Sequence, residues 1–265
     1  MKTFEFNRFK KVVVRDFHTA YNLYGLSLLI IMLVPAMLWM LEVAIGMGDD
    51  DSSPYVRMNL IKFLVSLAAV IAPLKIYGSC NLQGKGNYFA MLPASLGEKF
   101  WSMLLYSFVV SPMVVFVGSC AVDTLLTILP FGPYKDFLWS DDLLFTSSFG
   151  SPTFFGFRGV VLIYAGVIST ASIFLFTNTI FKKNKFIKTI LWLLLIGFVA
   201  MVVISPIMIH LDWDFDWVER FAKWFEGKDE SFFINLMFWS NLCFELLFTA
   251  VMCFFTYRRL KKMQY

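Results

Sequence analysis

Six long apolar segments dominate the sequence and decide what it can fold into. A helix needs about 20 mostly apolar residues to cross a bilayer, because the hydrocarbon core is about 30 Å thick and each residue adds about 1.5 Å. Backbone N–H and C=O groups find no partner in lipid, so each crossing should be a helix. The predicted spans are residues 23–46, 59–78, 100–129, 159–181, 187–209 and 232–257.

The composition supports this assignment. Hydrophobic residues make up 58% of the 265 residues and charged residues 16%, whereas a soluble domain has about 45–50% apolar and about 25% charged residues. A disordered chain has few aromatic residues, but aromatic residues make up 18% of this sequence. We therefore predict an all-α, polytopic membrane protein with six transmembrane helices.

The distribution of Lys and Arg predicts the orientation of the chain. Cytoplasmic connections of membrane proteins are enriched in these residues. Basic groups cluster in residues 1–22, 75–99, 182–188 and 258–265, and they alternate with acidic connections at residues 49–51, 136–142 and 212–230. With six spans, an orientation with both termini in the cytoplasm (N-in/C-in) puts every basic group on one side. The last group, residues 258–265, is then a basic cytoplasmic tail.

Residues 1–22 are predicted to form an interfacial helix that precedes the first span. Arg8, Lys11 and Arg15 fall largely on one side of this helix. The other side is apolar at helical spacing and consists of Phe6, Phe9, Val13, Phe17, Ala20 and Tyr24. Such a helix lies at the inner membrane surface, where apolar burial and anionic lipid hold it. The alternative is an ordinary basic flank of the first span.

The connection between the second and third spans, residues 79–99, is the most informative part of the sequence. Gly84 and Gly86 indicate a turn, residues 87–92 form a short apolar stretch, and Pro93 ends it. Exposed apolar surface of this kind tends to mark a contact with another protein. The stretch either binds a partner or folds against its own helix bundle, and the residues alone do not favour one over the other.

Ser95 and Glu98 match a capping box at the start of the third span. In this motif the Ser side chain accepts a hydrogen bond from the backbone N–H of the third residue after it, and the Glu carboxylate accepts one from the backbone N–H of the Ser. The spacing predicts that a helix begins directly after Ser95.

The sequence has no recognisable motif for binding nucleotides or nucleic acids. Gly84-Lys85 lacks both the preceding Gly spacing and the following Ser or Thr of a phosphate loop. We therefore expect that this chain is not an enzyme, does not hydrolyse ATP by itself and binds no cofactor.

The connection between the fifth and sixth spans, residues 210–231, is predicted to be an external amphipathic segment. Tryptophan is favoured at membrane interfaces, and large aromatic residues recur here at helical spacing: Trp213, Trp217, Phe221 and Trp224. Asp at positions 212, 214 and 216 imitates the start of a calcium loop, but Trp217 replaces the required Gly. The four cysteines form no C-x-x-C pair and the two histidines are far apart, so we expect no metal site.

One acidic residue falls near the centre of a predicted span. Glu245 lies in the sixth span, and Asn241 lies one turn before it. A carboxyl at this depth is costly and suggests a function, although a structural hydrogen bond between helices is the simpler interpretation. Glu42, Asp123 and Lys62 lie near the outer ends of their spans, where we expect their side chains to reach the headgroups.

The order of these elements resembles the membrane (permease) subunit of a type-2 ABC exporter. In that family an inner interfacial helix precedes two spans, a short cytoplasmic element separates spans two and three, and an external helical segment separates spans five and six. The stretch Tyr88-Phe89-Ala90-Met91-Leu92-Pro93-Ala94-Ser95-x-x-Glu98-Lys99 is similar to the "LP-[AV]-S…K" stretch of such permeases. Gly97 departs from the family, which often has a basic or bulky residue at this position.

This resemblance implies a partner and a mechanism. The apolar stretch would be a coupling helix that docks on a separate ABC ATPase subunit, and ATP and Mg would bind to that ATPase. A second permease subunit, identical or different, would complete the substrate path. The location would be a cell membrane, most simply the bacterial inner membrane. The implied coupling residues are Tyr88, Phe89, Met91, Leu92, Pro93, Ser95, Glu98 and Lys99.

Two other classes of function remain open at the level of sequence. A proton-coupled secondary transporter would use Glu245 as its carrier, although no internal repeat of the kind common in such transporters is visible. A membrane interaction or immunity protein without transport activity is the other alternative. The substrate does not follow from the sequence.

Overall fold

The computed structural model describes residues 4–45, 54–78, 80, 92–129, 132–134, 137–138, 157–210 and 230–263. These residues contain six long helices and no β-strand. The helices are α1 (Phe6–Ile45), α2 (Pro54–Ile76), α3 (Leu96–Thr127), α4 (Phe157–Ile180), α5 (Lys185–His210) and α6 (Glu230–Met263).

All six helices are long and apolar enough to cross a membrane. The prediction of an all-α protein with six helices that can span the bilayer is therefore confirmed for the described residues. The N-in/C-in orientation stays a prediction, because a helix bundle by itself does not show which of its ends faces the cytoplasm.

α1 differs from the prediction of two separate helices. It runs as one helix of 40 residues through position 22, where we expected an interfacial helix to give way to the first span. The sequence has no proline near this position, and Ala20 and Tyr24 both pack fully buried in the bundle, so nothing interrupts the backbone hydrogen bonds. At about 1.5 Å per residue α1 is about 60 Å long, so it extends beyond the hydrocarbon core or crosses it with a tilt.

The buried side of α1 also differs from the aromatic side that the sequence emphasised. Phe6 and Phe17 are 71% and 53% exposed, and they point away from the other helices. The side that packs against the bundle is defined by Val12, Asp16, Ala20, Tyr24, Leu28 and Ile31. Ala20 and Tyr24 of the predicted apolar side thus contact protein, while the rings of Phe6 and Phe17 remain on the outside, where lipid would surround them.

α3 contains a π-helical segment, Leu105–Val110, directly before Pro112. Proline has no N–H to donate to the carbonyl four residues earlier, and its ring crowds that carbonyl. The wider turn makes room for the ring, and the Tyr164 hydroxyl of α4 donates to the Phe108 carbonyl at 2.6 Å. The π segment thus accommodates Pro112 without ending α3.

The core of the protein is formed by α1, α2, α3 and α4, and α6 packs along α4. Ala68, Ala69 and Ala72 of α2 are fully buried, and their small side chains let the neighbouring helices approach closely. The hydroxyls of Tyr24 and Ser111 both donate to the Ala68 carbonyl, at 3.2 and 3.4 Å. α5 lies at the edge of the bundle, where it contacts α4, and most of its residues from Lys185 to Val203 are exposed.

Candidate functional site

Glu98, at the start of α3, connects three parts of the chain. The capping box is present as predicted: the backbone N–H of Ser95 donates to Glu98 Oε2 at 2.8 Å, and the backbone N–H of Glu98 donates to Ser95 Oγ at 3.3 Å. The other carboxylate oxygen, Oε1, accepts from the backbone N–H of Glu5 at 2.8 Å and from Arg8 Nη2 at 3.3 Å. One carboxylate therefore holds the N-terminus of α1 against the N-terminus of α3.

Glu98 is fully buried in this arrangement, although it is charged. A buried carboxylate is tolerated when hydrogen bonds and an opposite charge replace water. Two backbone N–H groups and the Arg8 guanidinium supply those interactions. Because every contact depends on the position of Glu98, a displacement of the α3 start has to move the α1 start or break the contacts.

A second buried carboxylate, Asp16 of α1, lies close to this end of α3. Asp16 Oδ2 accepts from Ser102 Oγ of α3 at 2.7 Å and from the Tyr77 hydroxyl, just beyond α2, at 3.2 Å. Asp16 Oδ1 accepts from the guanidinium of Arg15. Asp16 thus joins three helices at the end of the bundle from which residues 79–91 depart.

Lysine and asparagine side chains fix the ends of α2 and α4 at the same end of the bundle. Lys185 Nζ donates to the carbonyls of Gly78 and Asn178, at 2.6 and 2.9 Å. Helix C-terminal carbonyls lack partners within the helix, and a cation there is also favoured by the helix dipole. The Asn178 amide in turn donates to the Pro73 carbonyl at 2.6 Å.

Cys80 lies beside these contacts, just after α2. Burial raises the pKa of its thiol to about 12, an effect that the nearby Lys185 ammonium opposes and Asp16 reinforces. A thiol with such a pKa is protonated at neutral pH and is a poor nucleophile. Cys80 is therefore not a candidate nucleophile at neutral pH.

The opposite end of the bundle has a buried ion pair that connects α2 to α3. Arg57 Nη1 lies 3.2 and 3.0 Å from the two carboxylate oxygens of Asp123, and it also donates to Thr127 Oγ1 at 3.3 Å. The Tyr134 ring lies 4.3 Å from the Arg57 guanidinium carbon, within cation–π distance. The expectation that the Asp123 side chain reaches the headgroups is wrong, because Asp123 is 1% exposed and its charge is neutralised inside the protein.

The predicted coupling residues are only partly within the described structure. Tyr88, Phe89 and Met91 lie outside the described residues, as does the external segment with Trp213, Trp217, Phe221 and Trp224. Leu92 and Pro93 lie in a bend before the capping box, and Pro93 is exposed. Lys99 is buried like Glu98, so both side chains face the interior of the protein at the base of the connection.

The intramembrane candidates Glu245 and Asn241 lie on α6 at the edge of the bundle. Glu245 is half-buried and Asn241 is exposed, and neither forms a hydrogen bond to another described residue. The suggestion that they share a polar network within one chain therefore finds no support in the residues that the structure describes.

Sequence reasoning did not single out Asp16 or Arg57. Asp16 carried a signal, since it falls on the same helical line as Ala20 and Tyr24, which turn out to be buried. Arg57 precedes the predicted second span, but α2 begins earlier, at Pro54, and includes it. Within the described residues, no group of three or more His, Cys, Asp or Glu side chains is arranged to hold a metal ion.

No family model matches this chain, and no curated protein and no solved structure is significantly similar to it.

Proposed function

We propose that the chain is the permease subunit of an ATP-binding-cassette exporter. In this proposal two permease subunits form the substrate path, and a separate ABC ATPase subunit binds and hydrolyses ATP with Mg. The chain lies in a cell membrane, such as the bacterial inner membrane, with both termini and residues 79–99 in the cytoplasm. The six helices and the resemblance of residues 88–99 to the coupling region of such permeases support this assignment.

The observation that carries the proposal is the set of contacts of Glu98. An ATPase that pushes on residues 79–91 has to transmit the movement to the spans, and the connection ends at the Ser95–Glu98 capping box. The Glu98 carboxylate attaches this box to Glu5 and Arg8 of the N-terminal segment. A force on the connection is therefore applied to α1 and α3 together.

The buried carboxylates of Asp16 and Asp123 link the helices that would transmit this movement across the protein. Asp16 joins α1 to Ser102 of α3 and to Tyr77 at the end of α2. At the far end, Arg57 and Asp123 hold α2 to α3. The three helices are thus linked at one end, and α2 and α3 also at the other, which favours their movement as one body rather than independent bending. Such rigid-body movement is a common basis of conformational switching.

Copurification from native membranes tests the proposal. We expect an ATPase subunit to copurify with the tagged chain, and we expect Phe89→Asp and Met91→Asp to release it, because a charge in an apolar contact is costly to bury. Lys183→Asp, in the exposed connection between α4 and α5, is the matched control and should retain the ATPase. If no ATPase copurifies with the unaltered chain, or if Phe89→Asp and Met91→Asp retain it fully, the proposal is wrong.

A further inference from the structure

Two exposed lysines lie near the start of α1, on the side that faces away from the bundle. Neither the Lys10 nor the Lys11 side chain forms an ion pair or a hydrogen bond with another residue that the structure describes. Together with Asn7, Val14 and Arg15, they line an open cleft with a volume of about 590 Å³. This volume is typical of a small-molecule site, and the positive charge of the cleft favours an anionic ligand.

Arg15 is held in this cleft by a buried carboxylate. Its Nε and Nη2 both donate to Asp16 Oδ1, and Asp16 is only 3% exposed. Asp16 also accepts from Ser102 of α3 and from Tyr77, so its own position is fixed. A guanidinium has five N–H donors and suits the paired oxygens of a phosphate. The bonds to Asp16 leave Nη1 of Arg15 for such a ligand.

The described carboxylates at this end of the bundle are already engaged. Asp16 accepts the bonds from the guanidinium in the cleft. Glu5 and Glu98 both form ion pairs with Arg8. The connection that departs from this end, residues 79–91, contains no Asp or Glu. Neither these described carboxylates nor the connection therefore supplies a counter-charge for the two lysines.

The position of the cleft along α1 fits the headgroup layer of a membrane. Lys11 lies about 30 residues before Glu42, and at about 1.5 Å per residue this corresponds to about 45 Å along the helix. A bilayer with its headgroups is about 40–45 Å thick. With Glu42 at one headgroup layer, as expected for a carboxylate near the end of a span, the cleft lies at the other.

An exposed apolar strip continues from the cleft along α1 towards the middle of the span. Tyr21, Leu26 and Leu29 are 70%, 75% and 52% exposed. A free phosphate would leave this strip uncovered. The acyl chains of a lipid would cover it while the headgroup stays in the cleft, because charged and apolar surfaces follow each other here in the order of a phospholipid.

We propose that this cleft is a binding site for an anionic phospholipid, with Lys10, Lys11 and Arg15 around the headgroup phosphate and the acyl chains along α1. The sequence predicts only a general attraction of the N-terminal segment to anionic lipid, whereas these contacts define one site. Arg15 is the fixed donor of the site, and the two lysines supply charge. The inference is independent of the exporter proposal, because it uses no residue of the coupling connection and requires no ATPase.

Native mass spectrometry of the purified full chain in detergent tests this site. The probes are phosphatidylglycerol, which is anionic, and phosphatidylcholine with the same acyl chains, which is zwitterionic. The test variant is Lys10→Gln/Lys11→Gln. The matched control, Lys182→Gln/Lys183→Gln, removes two exposed lysines from the connection between α4 and α5 at the same end of the bundle.

We expect the unaltered chain and the control to prefer phosphatidylglycerol. The test variant should bind this lipid about twentyfold more weakly, since each Lys near an anionic headgroup contributes about a factor of five. Arg15→Lys keeps the charge but cannot bind a carboxylate and a phosphate with one planar fork, so it should also weaken binding. Thermal unfolding in detergent checks that each variant is folded.

Two further measurements separate a lipid from a free phosphate. Inorganic phosphate in large excess should displace little phosphatidylglycerol, because the acyl chains contribute to its binding. In native membranes, phosphatidylglycerol with a photoactivatable acyl chain should label α1 between Phe17 and Leu29, as mapped by mass spectrometry of the fragments.

Four results would overturn the proposal. Equal affinity of the unaltered chain for the two lipids is the first, and equal weakening by the test and control variants is the second. Complete displacement of the lipid by inorganic phosphate would indicate a site for free phosphate instead. Photolabelling confined to helices other than α1 would place the lipid elsewhere. Copurification of an ATPase is measured separately, so this inference and the exporter proposal can fail separately.

Discussion

Arg57 of α2 and Asp123 of α3 form an ion pair of 3.0 Å in which each side chain is 2% exposed. The pair lies at the end of the bundle opposite Glu98, and Tyr134 covers the guanidinium. Burial raises the pKa of the Tyr134 hydroxyl to about 12, helped by the nearby carboxylates Glu42 and Asp123 and opposed by Arg57. Tyr134 therefore remains neutral beside the pair at physiological pH.

Removing one partner of this pair should be far more harmful than removing both. Arg57→Met or Asp123→Leu leaves a buried charge without compensation, which costs about 3–5 kcal/mol in comparable sites. We expect the double variant Arg57→Met/Asp123→Leu to recover most of this loss, because no charge then remains buried. The thermal unfolding midpoint in detergent, measured for both single variants and the double variant, gives the coupling energy.

The matched control for that cycle is Lys62 of α2, a half-buried lysine that donates to Asn59 Oδ1 at 3.5 Å and is not part of the buried pair. Lys62→Met should change the unfolding midpoint little. Additive effects of Arg57→Met and Asp123→Leu, with no recovery in the double variant, would show that the two residues do not interact in the folded protein.

We expect the loss of Glu98 to release the N-terminal segment of α1 in addition to weakening the start of α3. Ser95→Ala removes one half of the capping box and should cost about 1 kcal/mol of stability. Glu98→Ala removes the other half and also the contacts to Glu5 and Arg8. We therefore expect trypsin to cleave the Glu98→Ala protein faster at Lys10 and Lys11, while Ser95→Ala is cleaved near the rate of the unaltered protein.

Mass spectrometry of the tryptic fragments identifies the cleavage positions and gives the rates. The expected difference follows from local release of α1, since a protease cleaves a segment only after it unfolds from its surroundings. Equal cleavage of the two variants would mean that the hydrogen bonds of Glu98 do not hold α1 in place.

The sequence alone predicted those features that depend on residues close together along the chain. Apolar length predicted the six helices, and the Ser95–Glu98 spacing predicted the helix start, because both are properties of one continuous segment. The pairs that join helices were not predictable in this way. Arg8 is 90 residues from Glu98 and Arg57 is 66 residues from Asp123, so only the folded arrangement of the helices brings them together.

The interpretation of Asp123 shows why position along a span is an incomplete guide. A carboxylate near the end of a span usually reaches water or headgroups, and this was the expectation. In the structure Asp123 points into the bundle, because an arginine one helix away offers a stronger interaction. The signal in the sequence for this pairing was the positive charge of Arg57, which lies at the matching depth of the neighbouring helix α2.

Cys80 should resist alkylation as long as the protein is folded. Its thiol pKa of about 12 leaves a thiolate fraction on the order of 10⁻⁴ at pH 8. We expect maleimide to label a chain whose single cysteine is Cys80 slowly in the native state and rapidly after denaturation, as measured by intact mass.

The rate of native labelling should rise with pH for as long as the protein stays folded, because below the pKa the thiolate fraction grows tenfold for each pH unit. Rapid labelling at pH 8 would show that the surroundings of Cys80 do not raise the pKa of its thiol.

Gly118 of α3 and Gly166 of α4 should respond oppositely to the same substitution. A Cβ atom at Gly118 would collide with the sulfur of Met32 on α1, whereas a Cβ at Gly166 would meet open space. Gly118→Ala should therefore destabilise the protein by about 1–3 kcal/mol, since overpacking forces neighbouring side chains to shift. Gly166→Ala should be neutral or stabilise by up to about 1 kcal/mol, because Ala favours the helix over Gly.

Thermal unfolding midpoints of the two variants measure this difference in stability. Adding Met32→Ala to Gly118→Ala should cost less stability than the sum of the two single substitutions. A fully additive double variant would show that α1 and α3 do not approach each other closely at this level.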